Sequence, residues 1–296
     1  MAELFKYKTV NKYLLDSLKN KYLYFSKPSE LDDIFECKIS PSFTNTTDAE
    51  INNWMNLMHQ NNAKDFPYNN IADIRNDINS GVFEKNYINN SKILEHYHIL
   101  SLCKDKDNQR LWSLYAATYK GICIGYNVDL NNNYFELEIE NPKNKYKEIS
   151  TPIANIIPQS GKWYARLKKT DYNNEGQFSY NWINEKMFEN SNLLYDGINN
   201  SIDRSAIFQT ILNSKSSIWI DQNEYRCFFN DMGIKMPKIY YPDETLNRIV
   251  FGYKTEKKIM KKIYKLITKY YRNTVIFEVV KPNYSTRKLE FSPYMP

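Results

Sequence analysis

Glycine is scarce in this chain, with 8 among 296 residues, and neither GxGxxG nor GxxxxGK[ST] occurs, so the usual phosphate-cradling loops are absent. Architectures built on glycine-rich turns are disfavoured for the same reason. Cysteine is sparse as well. Cys37, Cys103, Cys123 and Cys227 lie far apart with no CxxC pair, a pattern that suggests neither a disulfide framework nor a zinc site and reads as reduced, mostly buried thiols of a cytosolic protein. The only histidines are His59, His96 and His98, and two lone rings at alternate positions read as structural or solvated before they read as metal ligands. No apolar run approaches the roughly 18 residues of a membrane span. The opening MAELFKYKTV lacks the apolar core of a signal peptide. A cytoplasmic protein with no membrane partner is the expectation.

What is present is an ordinary globular mixture of 42% hydrophobic and 25% charged residues, rich in aromatics at 15% with 25 tyrosines. Its length is enough to bury a sizeable core, and a single domain over residues 1–296 is expected. A net charge of +6 permits an anionic partner, but nucleic-acid binding normally shows a concentrated basic patch.

The most informative stretch is Leu100 to Asn127. A short apolar run from Ile99 to Cys103 reads as a strand, and Asp107 or Asn108 can cap a helix carrying Leu111, Leu114, Tyr115 and Thr118 at helical spacing. Gly121 stands where a left-handed C′ residue would end that helix. Ile122 to Tyr126 then reads as a buried strand. Trp112 and Tyr115 lie on neighbouring faces of the helix, with packing as their default role.

Elsewhere, Leu4 to Lys8 and Tyr22 to Ser26 read as strands flanking a helix that Thr9 or Asn11 can cap. The acids Glu30, Asp32, Asp33 and Glu36 read as solvated turn residues, with binding of a cation or a cationic substrate as the competing possibility; in a nucleolytic protein Asp32, Asp33 and Glu36 would hold Mg²⁺. Residues 41–95 read as a helical insertion and 180–214 as a second helical layer. Phe135 to Ile139 and Trp163 to Leu167 read as strands. Glu224 and Arg226 lie two apart, on one side of a strand, where they either pair or present an acid to a substrate. The end of the chain reads as strand Arg248 to Tyr253, helix Thr255 to Tyr271, strand Thr274 to Val280 and strand Arg287 to Phe291. The helix's lysines form a solvated face or a nucleic-acid contact.

The blocks Phe5-Lys6-Tyr7-Lys8, Leu23-Tyr24-Phe25-Ser26-Lys27-Pro28, Leu31-Asp32-Asp33-Ile34-Phe35-Glu36, Leu111-Trp112-Ser113-Leu114-Tyr115-Ala116, Lys120-Gly121-Ile122-Cys123-Ile124-Gly125-Tyr126, Asn223-Glu224-Tyr225-Arg226 and Ile249-Val250-Phe251-Gly252 run in order along the chain. They resemble the bacterial family catalogued as domain of unknown function 2971. Lys8 stands where that family commonly shows an arginine, Asp32-Asp33-Ile34-Phe35 replaces Asn-Asp-Pro-Phe, and Tyr119 stands where histidine is frequent. A lysine does not reproduce arginine's bidentate fork on a phosphate.

The first thirty residues also resemble the start of ADP-ribosyltransferase-like domains, which cleave NAD at the nicotinamide ribosyl bond. That resemblance implies an α+β fold with a mixed β-sheet core, ADP-ribosyltransferase-like, with helical insertions, and NAD as substrate. It implies Glu224 as the catalytic acid with Arg226 as its partner, and Lys8, Tyr24, Ser26, Trp112 and Tyr115 as the cofactor-binding set. No metal is implied. A bacterial toxin or phage-defence effector acting on an unknown macromolecular target is the setting such an enzyme suggests. A nucleic-acid-binding or nucleolytic defence protein and a non-catalytic interaction module stand as alternatives.

Overall fold

The computed structural model describes residues 2–296 other than 34, 39, 43, 61–66, 83–90, 139–155, 160–161, 173–176, 180–203 and 231–237. In chain order its first elements are β1 (Ala2–Lys8), α1 (Lys12–Asn20), β2 (Tyr22–Tyr24), β3 (Ser40–Ser42), α2 (Asp48–Gln60), α3 (Ile71–Asn79), β4 (Tyr97–Cys103), α4 (Gln109–Leu114), β5 (Ile122–Val128) and β6 (Tyr134–Leu137). There follow β7 (Ile156–Gln159), β8 (Lys162–Arg166), β9 (Lys168–Lys169), β10 (Gln177–Ser179), α5 (Arg204–Asn213), β11 (Glu224–Asn230), β12 (Lys238–Tyr240), β13 (Leu246–Phe251), α6 (Lys257–Tyr270), β14 (Ile276–Asn283) and β15 (Lys288–Pro293).

The chain divides into two compact units. The first, comprising Met1–Glu30, Tyr97–Thr170 and Ile218–Pro296, holds an eight-stranded sheet in the order β15-β14-β13-β5-β1-β4-β11-β9. Only β13 and β14 run parallel, joined through α6, and the remaining neighbours are antiparallel, so the sheet is mixed and the fold α+β. The strands read around Leu100 to Asn127, at Leu4 to Lys8 and at Glu224 all lie in this one sheet, whereas β2, read with them, pairs with β12 in a separate two-stranded sheet.

Strand alternation gives the sheet two different faces. Leu4, Leu100, Leu102, Ile122, Ile124, Ile249 and Phe251 pack on one side with Leu14 and Leu18 of α1 and Met260, Ile263 and Ile267 of α6. Each such side chain, fully buried, contributes roughly 1.5–3 kcal/mol. Phe5, Tyr7, Cys103, Cys123, Val250 and Val280 form the other side with Leu111, Trp112 and Ala116.

α1 is capped by Asn11, whose Oδ1 accepts from Leu14 N at 2.9 Å, and ends at Lys21 with φ 55°. α4 is capped by Asn108, whose Oδ1 accepts from Leu111 N at 3.0 Å. The expectation for its far end is corrected. The helix stops at Leu114, and Ala117, Thr118 and Tyr119 take left-handed φ values of 47°, 53° and 65°, whereas Gly121 does not. Glycine is needed at 121 because a Cβ there would run into the carbonyl oxygen of Lys8 and the backbone of Ala116. Gly252 meets the backbone of Tyr119 in the same way. The strand expected over Tyr22 to Ser26 stops at Tyr24, and Ser26 instead makes an isolated bridge to Ile99.

The second unit, Leu31–His96 and Asp171–Ser217, receives the insertion expected over residues 41–95. Ile51, Trp54 and Met58 of α2 and Ile74 and Ile78 of α3 are buried. Here Glu36 is a buried acid, with Lys215 Nζ 3.4 Å from its Oε1. Among the described residues no group of three or more acidic, histidine or cysteine side chains is placed to hold a metal. Of the helical layer expected over 180–214, Arg204–Asn213 is helical and residues 180–203 lie outside the described residues.

Candidate functional site

At the end of β1 the chain turns into α1 through Thr9 to Asn11, and this corner forms one wall of a cleft of about 670 Å³. Alternation along β1 points Lys6 and Lys8 to the α1 side of the sheet. Both line the cleft, with Ile124 and Tyr126 of β5 beneath them. The first turn of α1 adds Lys12 and Tyr13, its next turn Asp16, and β2 adds Tyr22 and Tyr24. β12 pairs with β2, setting Lys238 opposite Tyr24.

Four lysines therefore share this lining with one aspartate, Lys6 Nζ donating to Ser101 O at 2.9 Å. Asp16 is held in place, accepting from Tyr22 Oη at 2.8 Å and from Asn20 Nδ2 at 2.7 Å, with Lys238 Nζ 3.9 Å away. Lys238 Nζ also sits 4.5 Å from the centre of the Tyr22 ring, and Lys12 Nζ 5.1 Å from that of Tyr13. Tyr24 donates to both carboxylate oxygens of Glu30, at 3.0 and 2.9 Å. Burial, then the Glu30 carboxylate, pushes the Tyr24 hydroxyl above its ordinary range, and burial with Asp16 does the same at Tyr22. Both remain neutral donors at physiological pH. The first turn of α1 contains no acid, so the positive end of the helix dipole and Lys12 present positive potential to the cleft together, although the Leu14 amide is taken by the Asn11 cap.

Of the residues singled out from the sequence, this cleft gathers Lys8 and Tyr24. Ser26 is engaged with Ile99, its N–H donating to Ile99 O at 2.9 Å. Trp112 is fully buried on the opposite face, its Nε1 donating to Lys106 O at 2.9 Å and its ring edge-on to Tyr7. Tyr115 packs with that same cluster. No family model, curated protein or solved structure matches this chain.

Glu224 and Arg226 also lie on the far face. Glu224 stands opposite Cys103, which stands opposite Phe5, so its side chain shares the side of the odd-numbered β1 residues, away from Lys6 and Lys8. Glu224 is 3% exposed and Arg226 0%, and Arg226 Nε donates to Glu224 Oε1 at 2.7 Å. The site implied by the resemblance, Glu224 acting with Lys8, Tyr24, Ser26, Trp112 and Tyr115, is therefore not gathered in one pocket, because odd and even positions of a strand diverge to opposite faces and Glu224 lies away from Lys8 and Tyr24. Sequence reasoning missed Lys12, Tyr13, Asp16, Tyr22 and Lys238. The first four carried a readable signal, since they follow Lys8 by helical and strand spacing; Lys238 lies on a short strand with no pattern of its own.

Proposed function

We propose that the cleft between β1, α1 and β2 binds a phosphate-bearing nucleotide, with NAD as the ligand suggested by the resemblance of the first thirty residues to ADP-ribosyltransferase-like domains. The observation that carries this reading is the gathering of Lys6, Lys8, Lys12 and Lys238 among the rings of Tyr13, Tyr22 and Tyr24. Ammonium groups and the positive end of the α1 dipole suit a pyrophosphate, and exposed tyrosine faces suit a base or nicotinamide ring. Tyr13 and Tyr24 are accessible for this, at 68% and 42% exposure.

In this reading Lys8 and Lys12 hold phosphate oxygens and Tyr24, fixed by Glu30, orients the ring. Cleavage of the nicotinamide bond would develop positive charge on the ribose, and the carboxylate lining the cleft to face it is Asp16. Glu224 is assigned to the core and not to the reaction.

Calorimetric titration with NAD, ADP-ribose and inorganic pyrophosphate tests the proposal. A charge-assisted contact is worth roughly 1.5–3 kcal/mol, so Lys8→Ala and Lys12→Ala should each weaken nucleotide binding by ~10- to 150-fold. Asp16→Asn should leave binding within a few-fold while abolishing any NAD turnover. Absence of binding to all three ligands, or affinity unchanged by both lysine substitutions, would refute it.

A further inference from the structure

A second positive surface lies on α6 and is independent of the cleft. Lys257, Lys258, Lys261, Lys262, Lys265 and Lys269 are all exposed, and the one other exposed position of this 14-residue helix is Thr268. The helix contains no acid. Lysines recur four apart at 257/261, 258/262, 261/265 and 265/269, a spacing at which like charges repel and destabilise the helix that carries them.

The fold concentrates this charge further. Lys19 of α1 and Lys269 of α6 both place Nζ over the Tyr270 ring, 5.6 and 5.3 Å from its centre. Two ammonium groups from separate elements thus share one aromatic ring. Acids around these helices are engaged: Glu256 with Lys258 at 2.9 Å, Glu278 with Lys106 and Arg248 at 2.8 and 2.9 Å, Asp243 with Lys21, and Asp16 within the cleft.

We infer that the solvent face of α6 is an interface for the phosphate backbone of a nucleic acid. The helix is about 21 Å long, so its charge is spread over a length that a polymer of phosphates can follow and a single small anion cannot. A membrane surface fits less well. An interfacial helix inserts its apolar side, whereas Met260, Ile263 and Ile267 are already buried in the fold. With no hydrogen-bonding pattern specific to base edges on the face, recognition is of the backbone and tolerant of sequence.

The test is fluorescence anisotropy of the full chain with labelled single-stranded RNA and duplex DNA across roughly 50 to 200 mM salt. Expected are binding that weakens steeply with salt and, in the triple variant Lys261→Gln, Lys265→Gln, Lys269→Gln, a slope smaller by about 2–3, at ~0.7–0.9 per lost phosphate contact. The matching triple arginine variant should bind like the parent chain, and the glutamine variant should stay folded, since it removes the repulsive pairs 257/261, 261/265 and 265/269 against the single Lys269–Tyr270 ring contact. Absent or salt-insensitive binding, a glutamine variant that binds unchanged, an arginine variant that loses binding, or attachment to phosphatidylserine vesicles in preference to both nucleic acids would overturn the inference.

Discussion

At the scale of single residues, the parity of a strand decides what Glu224 is. Its neighbour in β4 is Cys103, and Arg226 beside it is, among the described residues, the charged group with no exposed surface. Removing one partner of a buried pair leaves the other charge without compensation, at a cost of roughly 3–5 kcal/mol. Glu224→Gln is therefore expected to lower the urea midpoint by that equivalent, read by intrinsic fluorescence, while the folded fraction binds nucleotide like the parent chain. An unchanged midpoint would remove the structural role. The amino-acid pattern showed that Glu224 and Arg226 share a side of a strand. It did not show which side, because face assignment depends on the register with β4 and through β4 on β1, and register is a property of partners far away in sequence.

At the scale of elements, the strands of the main sheet other than the two-lysine β9 were legible because their apolar runs have only one place to be buried. The helix starts were legible to within a pair of candidate caps, Thr9 or Asn11 and Asp107 or Asn108, of which the structure uses the asparagines, since a side-chain oxygen ahead of a helical pattern has a local role. What was hidden is the connection after α4. Three successive left-handed residues, none of them glycine, are held by tertiary bonds such as Lys254 N to Tyr119 O at 3.1 Å and Thr255 Oγ1 to Gly121 O at 2.8 Å. Local propensity opposes that conformation, so local pattern does not reveal it. The glycines at 121 and 252 make room for this turn. Gly252→Ala forces a methyl against the Tyr119 carbonyl, and a loss of roughly 1–3 kcal/mol is expected, measured as a shift in the denaturation midpoint. Stability equal to the parent would mean that the turn relaxes at no cost.

At the scale of the whole molecule, tyrosine governs the response to pH. Tyr126, Tyr241 and Tyr271 are buried together, with the Tyr241 and Tyr271 hydroxyls 2.9 Å apart and Tyr271 donating to Leu18 O at 2.8 Å. Burial pushes all three hydroxyls well up, and Tyr7 likewise. In the unfolded chain these groups ionise near the ordinary value of about 10. Above that pH the unfolded state binds fewer protons than the folded one. The stability they confer is thus complete below about pH 10 and lost as pH rises beyond it. Phenolate absorbance should accordingly rise in two stages, exposed tyrosines first and the buried set together with loss of near-ultraviolet circular dichroism. A single smooth rise in an intact fold would contradict this.

The position of β1 has a consequence for synthesis. This strand is made before both of its partners, yet it lies in the interior of the sheet between β4 and β5, and its full register is with Ile122–Val128. At ~5–20 residues per second a ribosome needs on the order of ten seconds to reach that partner. During the interval Leu4, Phe5 and Tyr7 have no sheet to enter. The nascent chain therefore passes through a stage in which this central strand is apolar and unpaired, and holding it apart from other copies is a demand the fold makes on the cell.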